Sequence, residues 1–296
     1  PAWDPPENTE VNLSRLVCPY EAKAKIWFWF APRSSQPLKT LPSNSYRYLE
    51  SNSRSAKNSN AMPRITFALA TMLSFMAFTP MAAQDYQKGY DAYQAGDYAT
   101  ALKEFRPLAE QGNALLQTVV GDMYRKGKGV TQDYAEATKW YHLAAEQGKA
   151  QAQYNLGFIY KNGEGVPQDY AEGIKWYRLA ADQGYAKAQY NLAVMYENGE
   201  GVSQNYAGAV KLYRLAAEQG NAEAQNNLAV SYATGKGLIQ DYVMAHMWWN
   251  LANANGNENG ATNRDRIAKD MTNADIEKAV AMARECMSSS YQNCGY

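Results

Sequence analysis

The sequence is poor in the residues that most catalytic and metal chemistry draws on. Its 296 residues include 2 histidines and 3 cysteines. No serine has a lysine three positions later, so the Ser-x-x-Lys arrangement that sets nucleophile and base on one helical turn is missing. Residues 84–296 carry 20 Lys/Arg against 24 Asp/Glu, without the clustered cations that displace counterions from phosphates. Nucleic acid is therefore not an expected partner. The formal net charge is zero, and a hydrophobic content of 46% suits a chain that folds.

The first methionine is Met62, followed by Pro63 and Arg64, a mainly apolar stretch from Ile65 to Phe78, and then Thr79-Pro80-Met81-Ala82-Ala83. A positive start, a short apolar core and small residues at a cleavage point are the parts of a signal peptide in order. Residues 62–83 are expected to be removed near Ala83, giving a periplasmic or secreted protein. The competing reading is an uncleaved anchor, since the stretch approaches the ~17 residues needed to span a bilayer. Thr66, Thr71, Ser74 and Pro80 weaken it, and no membrane span is expected in the mature chain. Residues 1–61 mix an aromatic burst, Ile26 to Phe30, with a Ser/Asn-rich stretch, and are read as an unstructured leader or mis-assigned upstream translation.

Cys18 falls in that leader, which leaves Cys286 and Cys294 as an even pair in a compartment where disulfides survive. A bridge between them is expected. A metal site would want more ligands nearby than His142 and His246 supply, so no metal and no cofactor is expected.

From about residue 84 the chain repeats itself every 36 residues without an insertion: Gly112, Gly148, Gly184, Gly220 and Gly256; Tyr98, Tyr134, Tyr170, Tyr206 and Tyr242; Gly129, Gly165, Gly201 and Gly237. A period of this size means a solenoid or array. Within Lys149 to Gly184, Ala150, Ala152, Leu156, Gly157, Ile159 and Tyr160 have helical spacing. Asn162-Gly163-Glu164-Gly165-Val166-Pro167 ends that helix. Asp169 can cap the next one, with Glu172 three residues on, as Asp133 with Glu136 can one unit earlier. Tyr170, Ile174, Tyr177, Ala180 and Ala181 make its buried stripe, and Gly184 closes it. Each period is thus a helix-turn-helix hairpin that buries its surface only by stacking, which predicts an all-α, right-handed α/α superhelix of about five hairpins with concave and convex sides.

Ala-Gln-Tyr-Asn-Leu-Gly (152–157), Gly-Glu-Gly-Val-Pro-Gln-Asp-Tyr (163–170) and Trp-Tyr-Arg-Leu-Ala-Ala-Asp-Gln-Gly (176–184) strongly resemble the Sel1-like repeat. The resemblance covers Asp85 to about Gly256, with four such repeats over 113–256. Residues 84–112 depart from it: Gln94-Ala95-Gly96-Asp97 replaces the long turn, as in the related tetratricopeptide hairpin, which suggests an N-terminal cap. Residues 257–296 read as a C-terminal capping helix pair and tail, the last helix starting at Thr272 or Asn273. Such ends look like those often seen on exported Sel1-like proteins.

The resemblance implies a scaffold rather than an enzyme, but it extends to a cysteine-rich subgroup long labelled as β-lactamases. A wall-associated protein that binds or modifies peptidoglycan is accordingly the second function class. Against it, the repeats contain no cysteine and no nucleophile motif. His142 shares its column with Arg178, Arg214 and Asn250 and reads as an exposed variable position; His246 shares its column with Thr138, Ile174 and Val210 and reads as packed. Trp140, Trp176, Trp248 and Trp249 offer aromatic faces to a sugar, yet their place beside the core tyrosine favours packing. With Leu156, Gly157 and Tyr160 turned into the stack, the first helices leave Gln151, Tyr154, Phe158 and Lys161, and one unit later Lys187, Tyr190, Val194 and Glu197. Resemblance to tetratricopeptide solenoids makes this the inner wall of a groove for a protein or peptide, with the aromatics as anchors. The alternative is that Tyr154 and Phe158 pack against the adjacent hairpin.

Overall fold

The computed structural model describes residues 85–295, all within one compact unit. The expected leader (1–61) and signal peptide (62–83) lie outside the described residues. Among the described residues there are only helices and turns: α1 (85–94), α2 (Tyr98–Glu110), α3 (Ala114–Lys126), α4 (Tyr134–Glu146), α5 (Ala150–Asn162), α6 (Tyr170–Asp182), α7 (Ala186–Asn198), α8 (Tyr206–Ala217), α9 (Ala222–Thr234), α10 (Tyr242–Ala254), α11 (Glu258–Ile267) and α12 (Asn273–Ser288). From α2 to α11 each helix packs on its sequence neighbours, and α12 packs back on α10, so the hairpins stack in chain order into the expected α-solenoid.

Local chemistry sets the helix ends. Asp133, Asp169, Asn205 and Asp241 each accept a hydrogen bond from the backbone N–H three residues ahead, opening α4, α6, α8 and α10. The reciprocal half of a capping box is not made: Glu136 and Glu172 turn instead to Lys139 and Lys175, one helical turn on. The first helix of each Sel1-like unit stops at a glycine in the left-handed region, Gly127, Gly163, Gly199 or Gly235.

The second glycine of each turn does more than end a helix. A Cβ on Gly165 would sit 2.5 Å from the Cβ of Tyr134, and one on Gly201 would sit 2.4 Å from that of Tyr170. A Cβ on Gly129 or Gly237 would come equally close to the backbone of Tyr98 or Tyr206. The tyrosine and glycine columns are therefore two sides of one contact between successive units. This is why Tyr170, expected in the buried stripe, is only half-buried: its backbone side meets the next turn while its phenol accepts from Gln168.

The large buried side chains follow the predicted stripe. Tyr141, Tyr177 and Tyr213 have no exposed surface, nor do Leu156 and Ile159. The Tyr177 ring covers Gly157, where a Cβ would come within 2.5 Å of it, so the small residue is what lets α5 and α6 approach.

A second element of the core is polar. Gln117, Gln153, Gln189 and Gln225 are buried, and each donates through Nε2 to a carbonyl at the end of the preceding hairpin: those of Ala109, Ala145, Ala181 and Ala217. Their Oε1 atoms accept from the side-chain amides of Gln147, Gln183, Gln219 and Asn255 in the following helix. Each glutamine thus adds a second donor to a helix-end carbonyl that already accepts from the backbone N–H of Gly112, Gly148, Gly184 or Gly220, and ties three consecutive helices together. At the C-terminal end Asn255 exchanges hydrogen bonds with the phenol of Tyr291, which closes the ladder.

The cap is written into the surface it covers. Leu143, Leu179 and Leu215 are 42–48% exposed on the second helices, next to exposed Lys139, Lys175 and Lys211. In α10 the same two columns hold Met247 and Leu251, both fully buried, and α12 packs there with Ala279, Ala283 and Cys286. Thr272 caps α12 through its hydroxyl. Cys286 and Cys294 lie side by side in the cap, Cα atoms 4.5 Å apart and both buried.

Candidate functional site

All eight residues expected on the inner wall are half-buried, on two neighbouring first helices, α5 and α7. The Tyr154 ring lies 5.8 Å from that of Tyr177 and 5.3 Å from that of Tyr185, and Tyr190 lies 6.0 Å from Tyr213. Tyr154 and Phe158 rest on the core formed by α6 and α7, while Tyr190 and Val194 rest on the core of the next hairpins. The aromatic stripe is thus continuous with the core on one side and open on the other. Burial raises the phenol pKa of Tyr154 and of Tyr190 and pushes that of Tyr185 up to about 12, so these remain neutral donors near pH 7.

The polar members of the wall are tied between units. Lys161 pairs with Glu200 of the next turn at 3.2 Å. Gln151 donates to Asp122 at 3.5 Å, and Glu197 accepts from the Tyr213 phenol. Burial pushes the Lys187 ammonium below its usual value, partly opposed by Glu223.

Sequence reasoning missed the groups between these residues. Asp122 accepts from the Tyr141 phenol at 2.6 Å and from Asn155 at 3.2 Å, with Arg125 at 4.0 Å. Its burial raises its pKa against those stabilising partners. Asn155, Asn191 and Asn227 stand in phase on the first helices, and Asn191 and Asn227 donate to the phenols of Tyr177 and Tyr213. The 36-residue spacing of these asparagines was available in the sequence; what was not visible is that the core tyrosines reach them.

His142 is not the exposed position that its column suggested. It is half-buried, its Nε2 is 3.1 Å from the Tyr160 phenol, and its ring meets Trp176 edge-on at 5.5 Å. Arg106, Arg178 and Arg214, in the same column, likewise donate to tyrosine phenols on the following helix. In these four units a long polar side chain meets a phenol of the following helix, whereas Asn250 in the same column meets His246 and Arg264. His246 is packed as expected, against Asn250, and Trp140, Trp176, Trp248 and Trp249 are all buried. Among the described residues, no three His, Cys, Asp or Glu side chains gather as a metal-ligand set, and no helix is long and apolar enough to cross a membrane.

The Sel1 repeat family profile matches residues 115–149, 150–185, 186–221 and 222–257. The structure is similar to that of a Sel1 repeat protein from Oxalobacter formigenes, with 31% identity, TM-score 0.60, and coverage of 72% of this chain and 93% of that one. It is also similar to c5321, a protective antigen of uropathogenic Escherichia coli with the same repeat fold, at 24% identity and TM-score 0.38, covering 71% of this chain and 62% of that one. A Sel1 repeat protein from Klebsiella pneumoniae matches at 21% identity and TM-score 0.42, covering 65% and 98%. No curated protein matches the chain. The chain belongs to the Sel1 repeat family, whose solenoids generally serve as protein-interaction scaffolds rather than catalysts.

Proposed function

We propose that the inner face of α5 and α7 holds a protein or peptide partner, and that the protein acts without catalysis as an adaptor or regulator of an envelope process. The half-buried aromatic stripe supports this reading: Tyr154, Phe158 and Tyr190 are held from below by core rings and present their other sides outward. Rigid aromatics of this kind lose little entropy on binding and make effective anchors. Tyr154→Ala is expected to lower stability by about 1–2 kcal/mol and partner affinity by ~2 kcal/mol or more. Affinity capture from periplasmic extract, with the wild-type chain and the Tyr154→Ala/Tyr190→Ala variant compared at matched folded fraction, tests it. Equal recovery of partners by both would move the binding surface elsewhere.

The envelope location rests on the sequence layout from Met62 to Ala83, and with it goes a disulfide between Cys286 and Cys294. The short loop limits its stabilisation to about 2–3 kcal/mol. Intact-mass measurement of the non-reduced protein from its native host reads both points at once. The expected result is a chain starting near Gln84 that takes up no thiol reagent; a start within residues 1–61, or two reactive thiols, would contradict them.

A further inference from the structure

A second surface lies at the C-terminal cap, apart from the eight residues of the inner wall. Three cavities of about 340, 500 and 280 Å³ follow one another along α12. The first two share Gln240 and Val243, and the last two share Met282 and Gly295, so together they form one trough. The members from α12 are Asp275, Lys278, Met282 and Glu285, which share a single face of the helix over about 15 Å, at ~1.5 Å per residue. Ala279, Ala283 and Cys286, each one position beyond a trough residue, belong to the core that α12 makes with α10. The trough therefore runs beside the seam between two packed helices.

Its opposite wall is the last family turn and the start of α10, and there the chemistry departs from the earlier units. Ile239 is 90% exposed, where the preceding turns have Thr131, Pro167 and Ser203. Val243 stands where they have Ala135, Ala171 and Ala207, and Met244 where they have Glu136, Glu172 and Gly208. Met244 is buried and Val243 half-buried, but Ile239 is left in solvent at the edge of the middle cavity. Charge changes sign along the trough: Asp270 and Asp275 at one end, Lys278 and Arg214 in the middle, Glu285 at the other end.

A crevice beside a two-helix seam, walled by one helical face, is shaped for a third helix, which is about 10 Å across with its side chains. Residues three and four apart on such a helix meet a stripe of the same spacing on α12. An extended segment would need a sheet edge to satisfy its backbone, and no strand occurs among the described residues. Arg214 already donates to the Tyr232 phenol, so Lys278 is the cation that points to an acidic partner group.

We infer that the trough takes one amphipathic helix of a partner protein, its apolar stripe on Ile239, Val243 and Met282, an acidic residue against Lys278, and basic residues toward Asp275 and Glu285. The docked helix would extend the interface that α12 already makes with α10. This surface does not depend on the inner wall.

The test uses the full chain and three fluorescein-labelled peptides of about fourteen residues, longer than the trough at ~1.5 Å per residue. The first is a stapled helix with a leucine stripe, a central glutamate and a lysine toward each end. The second reverses those charges, and the third is the first sequence, unstapled, with two central prolines. The expected result is saturable binding of the first only, weakened about tenfold or more by Ile239→Thr, which installs the residue type of the Thr131 turn. Lys278→Glu should lose the first peptide and gain the second. Both positions are exposed, and thermal melts check that the variants stay folded. Tyr154→Ala/Tyr190→Ala, on the inner wall, should leave binding unchanged. Equal binding of the proline-broken peptide, no binding of the first peptide, or binding indifferent to Ile239→Thr and Lys278→Glu would each overturn the inference. So would a dimer in sedimentation that Ile239→Thr dissolves, since a second copy would then be what covers the trough.

Discussion

Replacing Tyr177 by alanine is expected to cost about 3–5 kcal/mol of stability, the usual range for emptying a large, fully buried aromatic site. The ring has no exposed surface, fills the space over Gly157, carries Tyr154 on one side and accepts from Asn191 at its hydroxyl. Nothing nearby can move into that space without shifting a helix. Tyr177→Phe keeps the packing and removes only the hydroxyl, so it should cost about 1 kcal/mol, the net value of a typical hydrogen bond. Urea denaturation of the two variants gives both numbers. A cost for Tyr177→Ala no larger than for Tyr177→Phe would mean that the solenoid is loosely packed at its centre.

Two glycine variants should differ although their backbones are alike. Gly184 and Gly201 have φ of 83° and 70°, so alanine at either pays the left-handed penalty of roughly 1–2 kcal/mol. Around Gly184 a new methyl meets nothing within 4 Å, whereas at Gly201 it would lie 2.4 Å from the Cβ of Tyr170 in the previous unit. Gly201→Ala therefore adds an overpacking cost of about 1–3 kcal/mol and pushes apart two hairpins, while Gly184→Ala should show the conformational cost alone. Thermal melts of both decide it. Equal losses would mean that the turn is not held against Tyr170.

How far the sequence could be read depended on whether a role shows in a residue's own column. Tyr177, Gly184 and the caps Asp133 and Asp169 were legible because spacing and residue type together dictate what each must do. The half-buried state of the eight residues expected on the inner wall was not legible, because it depends on rings arriving from the second helices. Gly201 read only as a helix breaker, since its contact with Tyr170 joins positions 31 apart. The buried glutamines were invisible for a different reason: a polar residue inside a helical pattern looks like solvent-facing surface until the carbonyl it serves is known. His142 misled in the same way, because Arg and Asn in its column suggest tolerance of exposure, whereas His142, Arg106, Arg178 and Arg214 each reach a phenol of the following helix.

The glutamine ladder also sets the increments in which this chain can change length. Each buried glutamine reaches a carbonyl eight residues back and, up to the last, a glutamine thirty ahead. Excising residues 150–185 as a block would return Gln189 to the carbonyl of Ala145 with Gln219 still in front of it. Any cut that is not a multiple of 36 would strand a buried amide at the splice. Loss or duplication of a whole hairpin is thereby neutral for the polar core, and the number of units becomes a quantity that recombination can alter without redesigning the protein.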